Sequence, residues 1–179
     1  MPDWLPPLLE FNEPGAAWDG NWELYVEEVY LVFQLCLAAP IRSQKLRWRG
    51  IRLGLKKYPE SMAKEATFWH MVSEGAVEED REPALDRCAR IRWPGAMIPR
   101  SVDPLILTWM KEIKGKQRIH MYLPEERYLL VLDYRRNGDG DEFILPWTAY
   151  PVSQDHSHRK LLQAYEAWKK QGPPLPGTP

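Results

Sequence analysis

The sequence contains little cysteine and lacks the short motifs that mark metal or nucleotide chemistry. Its two cysteines, Cys36 and Cys88, are far apart and form no C-x-x-C pair. It has no H-E-x-x-H motif, no twelve-residue calcium loop, no P-loop and no dinucleotide-binding glycine pattern. We therefore expect no metal and no cofactor, and two free thiols as in a reducing cytoplasm.

Long hydrophobic runs are also scarce. The most apolar stretch, Val26 to Ala39, is interrupted by Glu27, Glu28 and Gln34. It is shorter than the roughly 20 apolar residues that a membrane-spanning helix needs. The N-terminal letters MPDWLPPLLEF contain no basic segment, whereas a secretory signal begins with one. The sequence thus predicts a soluble cytoplasmic protein without a membrane partner.

Tryptophan, by contrast, is abundant, with nine residues in a chain of 179. A chain of this length buries a substantial core as one domain. We expect several tryptophans inside that core and some at a contact surface. Prolines cluster near both ends of the chain. We predict an extended arm over residues 1–19, a single α+β domain over 20–170 and a flexible tail over 171–179.

Charge is segregated along the chain, although the formal net charge is only −1. Residues 1–40 carry seven acidic residues and no Lys or Arg, whereas residues 41–59 carry seven basic residues and no acid. One interpretation is an RNA-binding surface that includes Arg47 and Arg49. The alternative is that the acidic first helix packs beside a basic strand and neutralises it.

Helical periodicity is clearest in the first third of the chain. Apolar residues at helical spacing predict a first helix that begins near Trp22, is capped by Asp19 or Asn21 and ends at Pro40. Further helices are predicted at Ser61–Ser73, at Glu78–Ile91, at Asp103–Glu112 and in the C-terminal stretch that carries Leu161, Leu162, Tyr165 and Trp168.

Two-residue periodicity predicts the strands. Lys45–Lys56 alternates with a change of phase at Gly50, where we expect a bulge. Pro146 lacks a ladder donor and favours a second bulge or an edge. The predicted fold is α+β: N-terminal helices, then a three- to four-stranded antiparallel sheet and a C-terminal helix. Its consecutive strands are Arg118–Leu123, Tyr128–Tyr134 and Phe143–Val152.

Several side chains suit RNA cleavage without a metal. This reaction needs a base for the 2′-hydroxyl, an acid for the 5′-oxygen and a cation for the phosphorane. His70 is placed by helical spacing on the polar side of its helix. Arg87 and Arg90 are spaced i, i+3. Strand faces offer Arg118, His120 and Tyr122 in one row, and Thr148 and Tyr150 in another.

The run KEATFWHMVSEGAVEEDREPALDRCARIRWP, followed about fifty residues later by WTAY, resembles a set of uncharacterised bacterial and prophage-associated proteins. These are similar to the barnase/EndoU/RelE-like superfamily of metal-independent ribonucleases, and the resemblance covers roughly residues 20–170. Superfamily members have N-terminal helices followed by a four-stranded antiparallel sheet. Many of them vary their catalytic residues.

The resemblance implies that His70 is a general acid or base and that Arg90 or Arg87 binds phosphate. It implies that Thr148 and Tyr150 are active-site residues of a late strand. The basic side chains expected to contact RNA are Arg87, Arg92, Arg118, His120, Arg47 and Arg49.

The expected function is a ribonuclease-like toxin or mobile-element effector that cleaves tRNA or mRNA through a 2′,3′-cyclic phosphate. A cognate protein inhibitor would be its partner. Two alternatives remain open at the level of sequence: a non-catalytic immunity or regulatory protein that binds a partner through the acidic first helix, and an RNA-binding module without cleavage.

Overall fold

A computed structural model describes residues 1–10, 21–75 and 82–177 of the chain. The strands are β1 (Arg47–Trp48), β2 (Ile51–Leu53), β3 (Ser73–Glu74), β4 (Glu82–Pro83), β5 (Leu107–Ile113), β6 (Lys116–Leu123), β7 (Tyr128–Arg136) and β8 (Glu142–Pro151). The helices are α1 (Trp22–Phe33), α2 (Ala39–Arg42), α3 (Ala66–Val72), α4 (Leu85–Cys88), α5 (Trp93–Met97) and α6 (Asp155–Gln171).

Among the described residues, six strands form a mixed sheet in the order β1-β2-β8-β7-β6-β5, and β3 and β4 form a separate pair. Strands β5 to β8 are a consecutive antiparallel meander, which confirms the α+β class and the predicted strand pairing. The predicted sheet was too small, because β2 adds to the edge of β8 in parallel. The strand predicted over Lys45–Lys56 is present as β1 and β2, but its pairing with a distant strand leaves no local signal in the sequence.

The first helix is longer than predicted. Asn21 caps it, and its side-chain oxygen accepts from the backbone N–H groups of Glu23 and Leu24 at 3.0 and 3.3 Å; the other predicted cap, Asp19, lies outside the described residues. Pro40 does not end the helix, which continues through a π-helical segment, Gln34–Ala38, into α2. Pro40 lies in the first turn of α2, directly after the π-helical segment.

The phase change at Gly50 has a different cause from the predicted bulge. Trp48 pairs directly with Ile51 across an antiparallel hairpin. Arg49 and Gly50 form its two-residue turn, with φ of 49° and 81°, and positive φ at both positions is the geometry that matches the twist of a tight hairpin. Directly paired residues share a face, so Trp48 and Ile51 are both buried.

The helix predicted at Asp103–Glu112 is wrong, because this segment contributes strand β5. Ile113 pairs with Lys116 across a two-residue turn at Lys114 and Gly115, with φ of 51° and 71°. Gly115 therefore lies in a hairpin turn. The seven-residue pairing with β6 outweighs the weak local helical pattern.

The middle helices are shorter than predicted. Ser61 does not begin a helix, since Ser61 and Lys64 bridge to each other, with positive φ at Met62 and Ala63; α3 starts only at Ala66. The predicted helix Glu78–Ile91 begins outside the described residues. Its described part consists of β4 and the single turn of α4.

Two apolar clusters lie on opposite faces of the meander. The main core packs α1, α3 and α5 against one face and contains Leu37, Trp48 and Leu130. The second core lies under α6 and contains Trp109 and Leu129. Alternate residues of each strand therefore serve different cores.

The two chain ends also contact the domain. The predicted arm is described only over residues 1–10, where Leu5 is buried. In the tail predicted to be flexible, Leu175 packs against the main core. The tail carbonyl of Pro176 accepts from Arg49 Nε at 3.0 Å, and that of Pro173 accepts from Trp168 Nε1 at 3.0 Å.

The acidic first helix does not neutralise the basic hairpin. Within the part of the chain that the structure describes, Glu27 of α1 pairs with Lys64, and Arg42 pairs with Glu65 at 2.7 Å. No ion pair there joins α1 to β1 or β2. By length and composition the helix Trp22–Arg42 could cross a membrane, a property shared by core helices of soluble proteins.

Candidate functional site

A bulge in β8 places two consecutive side chains on the α6 side of the sheet. Val131 of β7 pairs with Thr148, but the next residue, Leu132, pairs with Pro146, so Trp147 has no partner of its own. The bulge lies beside Pro146, as predicted. A bulge of this kind changes the direction of neighbouring side chains. Here it presents Trp147 next to Thr148.

Trp147 is surrounded by cations and an imidazole. The guanidinium carbon of Arg118 lies 4.1 Å from the indole centroid, and the Lys56 ammonium lies 5.1 Å from it. The His70 ring meets the indole edge to face, with centroids 4.8 Å apart. We call these four residues, together with Asp133, the Trp147 cluster.

Asp133 holds the guanidinium of Arg118 in place. Its carboxylate is 1% exposed and lies 2.9 Å from Arg118 Nη1 and 2.7 Å from Arg135 Nη2. Burial lowers the pKa of Arg118, an effect that the carboxylate of Asp133 opposes. The cluster therefore holds two cations, Lys56 and Arg118, against one carboxylate, and Arg135 adds a third cation beside Asp133. This excess of positive charge around an aromatic ring is typical of single-stranded nucleic-acid sites.

His70 is not on an exposed polar face, which corrects the prediction from helical spacing. All seven residues of α3 are buried, and His70 is 5% exposed. The reason is the position of α3, which lies against β8 beyond the end of β2. Thr148 Oγ1 donates to the His70 carbonyl at 3.0 Å and so fixes the helix to the bulge.

His120 and Tyr150 line a second feature of this face, a cavity of about 260 Å³ between the sheet and α6. We call it the α6 pocket. His120 is stacked on Trp109, with ring centroids 5.0 Å apart. Burial lowers the pKa of His120 to about 4, the neighbouring cations Lys111 and Arg118 add to this effect, and the main chain of Arg118 opposes it. His120 is therefore neutral at pH 7.

Arg87 lies at the far side of Tyr150. Its guanidinium carbon is 5.1 Å from the Tyr150 ring centroid, and its Nη1 donates to the Ser73 carbonyl at 2.8 Å. Burial raises the pKa of Tyr150, and Arg87 opposes this shift. The phenol is thus protonated and available as a donor.

The remaining predicted arginines are not on this face. Arg90 stacks on Trp93, at 5.2 Å, and donates to the Asp86 carbonyl. Arg92 donates to the Pro7 carbonyl at 2.9 Å. Arg47 and Arg49 belong to the β1–β2 hairpin, where their guanidinium groups bond the carbonyls of Gly50 and Pro176.

The structure thus brings together His70, Thr148 and Arg118 around Trp147, and His120 and Tyr150 in the neighbouring pocket. Sequence reasoning missed Trp147, Lys56, Asp133 and the two lysines of the pocket, Lys111 and Lys160. The available signal was the WTAY word, since its tryptophan follows the proline at which a bulge was expected. Lys56 follows β2 in the chain. The parallel pairing of β2 with β8, which brings Lys56 to this site, had no signal in the sequence.

Within the described residues, no group of three or more His, Cys, Asp or Glu side chains is arranged to hold a metal ion. The two cysteines are free thiols. Comparisons of the chain with protein-family models, with curated proteins and with solved structures gave no match.

Proposed function

We propose that the protein is a cytoplasmic RNA-binding domain that cleaves RNA without a metal at the Trp147 cluster. The observation that carries this proposal is the contact of one indole with an imidazole and two cations, at 4.8, 4.1 and 5.1 Å. Cations bind the phosphate backbone, and aromatic side chains beside them commonly contact the bases of single-stranded nucleic acid. The imidazole lies beside both.

The proposed reaction forms a 2′,3′-cyclic phosphate. The 2′-oxygen attacks phosphorus while His70 accepts its proton, and the bond from phosphorus to the 5′-oxygen breaks as that oxygen receives a proton. We assign the second transfer to the phenol of Tyr150 in the neighbouring α6 pocket, which carries its proton at neutral pH because burial raises its pKa. Arg118, held by Asp133, stabilises the phosphorane charge. Arg90, which stacks on Trp93, has no part in this scheme.

The proposed biological role is that of a toxin or mobile-element effector acting on tRNA or mRNA, with a cognate protein inhibitor. Such an inhibitor would cover the Trp147 cluster. This role is implied by the sequence resemblance. The Trp147 cluster supports only the part of it that concerns binding and cleaving RNA.

The test is cleavage of a fluorescent single-stranded RNA by the full chain in EDTA. His70→Asn should lower the rate by on the order of 10²–10⁴-fold, the typical effect of losing a general acid or base. Because His70 is buried, asparagine is preferred to alanine and the melting temperature is measured in parallel. Mass spectrometry should find 2′,3′-cyclic phosphate ends.

Arg47→Gln provides the matched control, because Arg47 is basic and exposed but lies on the β1–β2 hairpin. It should leave the rate within about twofold, since its guanidinium bonds the nearby Gly50 carbonyl and lies on an exposed hairpin. RNA binding that depends on Arg118 but proceeds without cleavage would reject the catalytic role and retain the binding role.

A second candidate function, binding of a protein partner through α1, is favoured by a row of exposed leucines. Leu24, Leu31 and Leu35 are 44%, 62% and 74% exposed, and monomeric proteins rarely expose such contiguous apolar surface. Two results together would favour this function: the wild type cleaves no RNA, and a partner that co-purifies with it is lost from the Leu31→Ser/Leu35→Ser variant.

A further inference from the structure

The α6 pocket has a buried floor with unused hydrogen-bonding groups. Trp109 and His120, which both line the pocket, are 2% and 7% exposed. Neither Trp109 Nε1 nor His120 Nδ1 has a hydrogen-bond partner in the described part of the chain. A buried polar atom without a partner is unfavourable, so a small movement of the floor that lets ligand oxygens reach these two atoms would be favoured.

The rim of the pocket is positively charged. Lys111 of β5 and Lys160 of α6 line it from opposite sides and are both exposed. None of the described lining residues is acidic. Two ammonium groups match the charge of a phosphate monoester, which approaches −2 at pH 7, better than that of a single carboxylate.

Apart from His120, the polar side chains that line the pocket can all donate hydrogen bonds. Tryptophan and lysine side chains can only donate hydrogen bonds, and the hydroxyl groups of Tyr150 and Ser157 also line the pocket. A ligand that satisfies this set must offer several acceptor oxygens, as a phosphate does. Neutral His120 provides one acceptor, which suits a hydroxyl group of the ligand.

The size and walls of the pocket indicate more than a bare ion. Its volume of about 260 Å³ is near the lower end for small-molecule sites, roughly 300–1,000 Å³. Val152, Leu161 and Ala164 form an apolar wall. This wall would pack against a sugar or a base.

We propose that the α6 pocket binds a phosphate monoester on a small organic group, of the class of a nucleoside monophosphate. The ammonium groups of Lys111 and Lys160 neutralise the phosphate, and the indole N–H of Trp109 donates to it. This inference goes beyond the proposed function and does not depend on it. Tyr150 lines the pocket and also takes part in the proposed reaction, but Trp109, Lys111 and Lys160, which hold the phosphate, have no role in that reaction.

The experiment is an NMR titration of the ¹⁵N-labelled full chain, in which the indole signal of Trp109 is assigned by its loss in Trp109→Phe. Uridine 3′-monophosphate and adenosine 5′-monophosphate are compared with inorganic phosphate at constant ionic strength. A nucleoside monophosphate should shift the Trp109 signal in a saturable way. Inorganic phosphate should bind at least about tenfold more weakly, since it cannot use the apolar wall.

A charge-matched pair of double variants separates the pocket from general electrostatic attraction. Lys111→Gln/Lys160→Gln should weaken binding by at least about tenfold, because each charge-assisted hydrogen bond contributes substantially. Lys114→Gln/Lys169→Gln removes the same charge from the β5–β6 turn and from α6, outside the pocket, and should have little effect. All four lysines are exposed, so both variants should fold.

Equal weakening in both double variants, or a Trp109 signal that does not move, would overturn the inference. Inorganic phosphate binding as tightly as the nucleotides would overturn the part that concerns the organic group. RNA cleavage by the same variants is measured separately. If nucleotides bind in a saturable way but RNA is not cleaved, the proposed function is rejected and this inference stands.

Discussion

At the scale of single residues, His120 combines two properties that local sequence does not reveal. It occupies the strand face predicted by alternation, between Arg118 and Tyr122. Its burial beside Trp109, however, lowers its pKa to about 4. Because its ordinary pKa is about 6.5, the unfolded chain binds a proton between these values and the folded chain does not. Folding stability therefore falls as the pH decreases through this interval.

We predict that His120→Asn removes part of this acid sensitivity. A shift of about 2.5 pKa units corresponds to at most about 3 kcal/mol of stability lost on full protonation. Urea unfolding at pH 7 and pH 4.5 measures it: the fall in the free energy of unfolding should be about 2–3 kcal/mol smaller in the variant than in the wild type. The exposed His156, changed to Asn, is the control and should keep the wild-type difference. An unchanged difference in His120→Asn would show that its pKa is not depressed.

At the scale of elements, the fold depends on close packing of short helices that carry little intrinsic stability. Helix α5 has five residues and includes Pro94 and Gly95. It crosses the π-helical segment so closely that a Cβ on Gly95 would lie 2.2 Å from the Cys36 carbonyl oxygen. Glycine is required there by the approach of two backbones, not by its own dihedral angles.

We predict that Gly95→Ala destabilises the protein by about 1–3 kcal/mol, the usual cost of inserting a methyl group into a packed site. The obstacle is backbone, so no side-chain rotation relieves it. Thermal unfolding followed by circular dichroism gives the change. Gly138→Ala is the matched control, since its Cβ would have no atom within 4 Å. Equal melting temperatures for the two variants would contradict the close approach.

At the scale of the whole molecule, one sheet serves two cores. Neighbouring residues of β7 point in opposite directions, so that Leu130 belongs to the main core and Leu129 to the second core. Damage to either core therefore weakens the same strands. This arrangement favours a single cooperative unit.

We predict that Leu37→Ala and Leu129→Ala each destabilise the whole chain by about 2–5 kcal/mol, as is typical for buried leucines. Leu37 is 0% and Leu129 is 1% exposed. Tryptophan fluorescence and far-ultraviolet circular dichroism should report one coincident transition for each variant. Leu105→Ala, at a position 47% exposed, should change stability little. Separate melting of α6 in Leu129→Ala would show that the second core is an independent unit.

Local sequence alone predicts the antiparallel strands between Arg118 and Pro151, the C-terminal helix and a first helix that begins near Trp22. Local periodicity and a capping side chain decide these features. It also places Arg118 with His120, and Thr148 with Tyr150, on shared strand faces, since alternation is visible in the sequence. The exposed polar face expected for His70 was wrong.

Which of these side chains meet depends on the packing of the folded chain. The bulge at Trp147, the parallel addition of β2 beside β8 and the burial of α3 depend on contacts between distant segments, which no local pattern encodes. The same long-range packing separates Arg90 from His70 and closes the α6 pocket over His120. Periodicity fixes the face on which a residue lies, whereas its neighbours and its pKa follow from the packing of the whole chain.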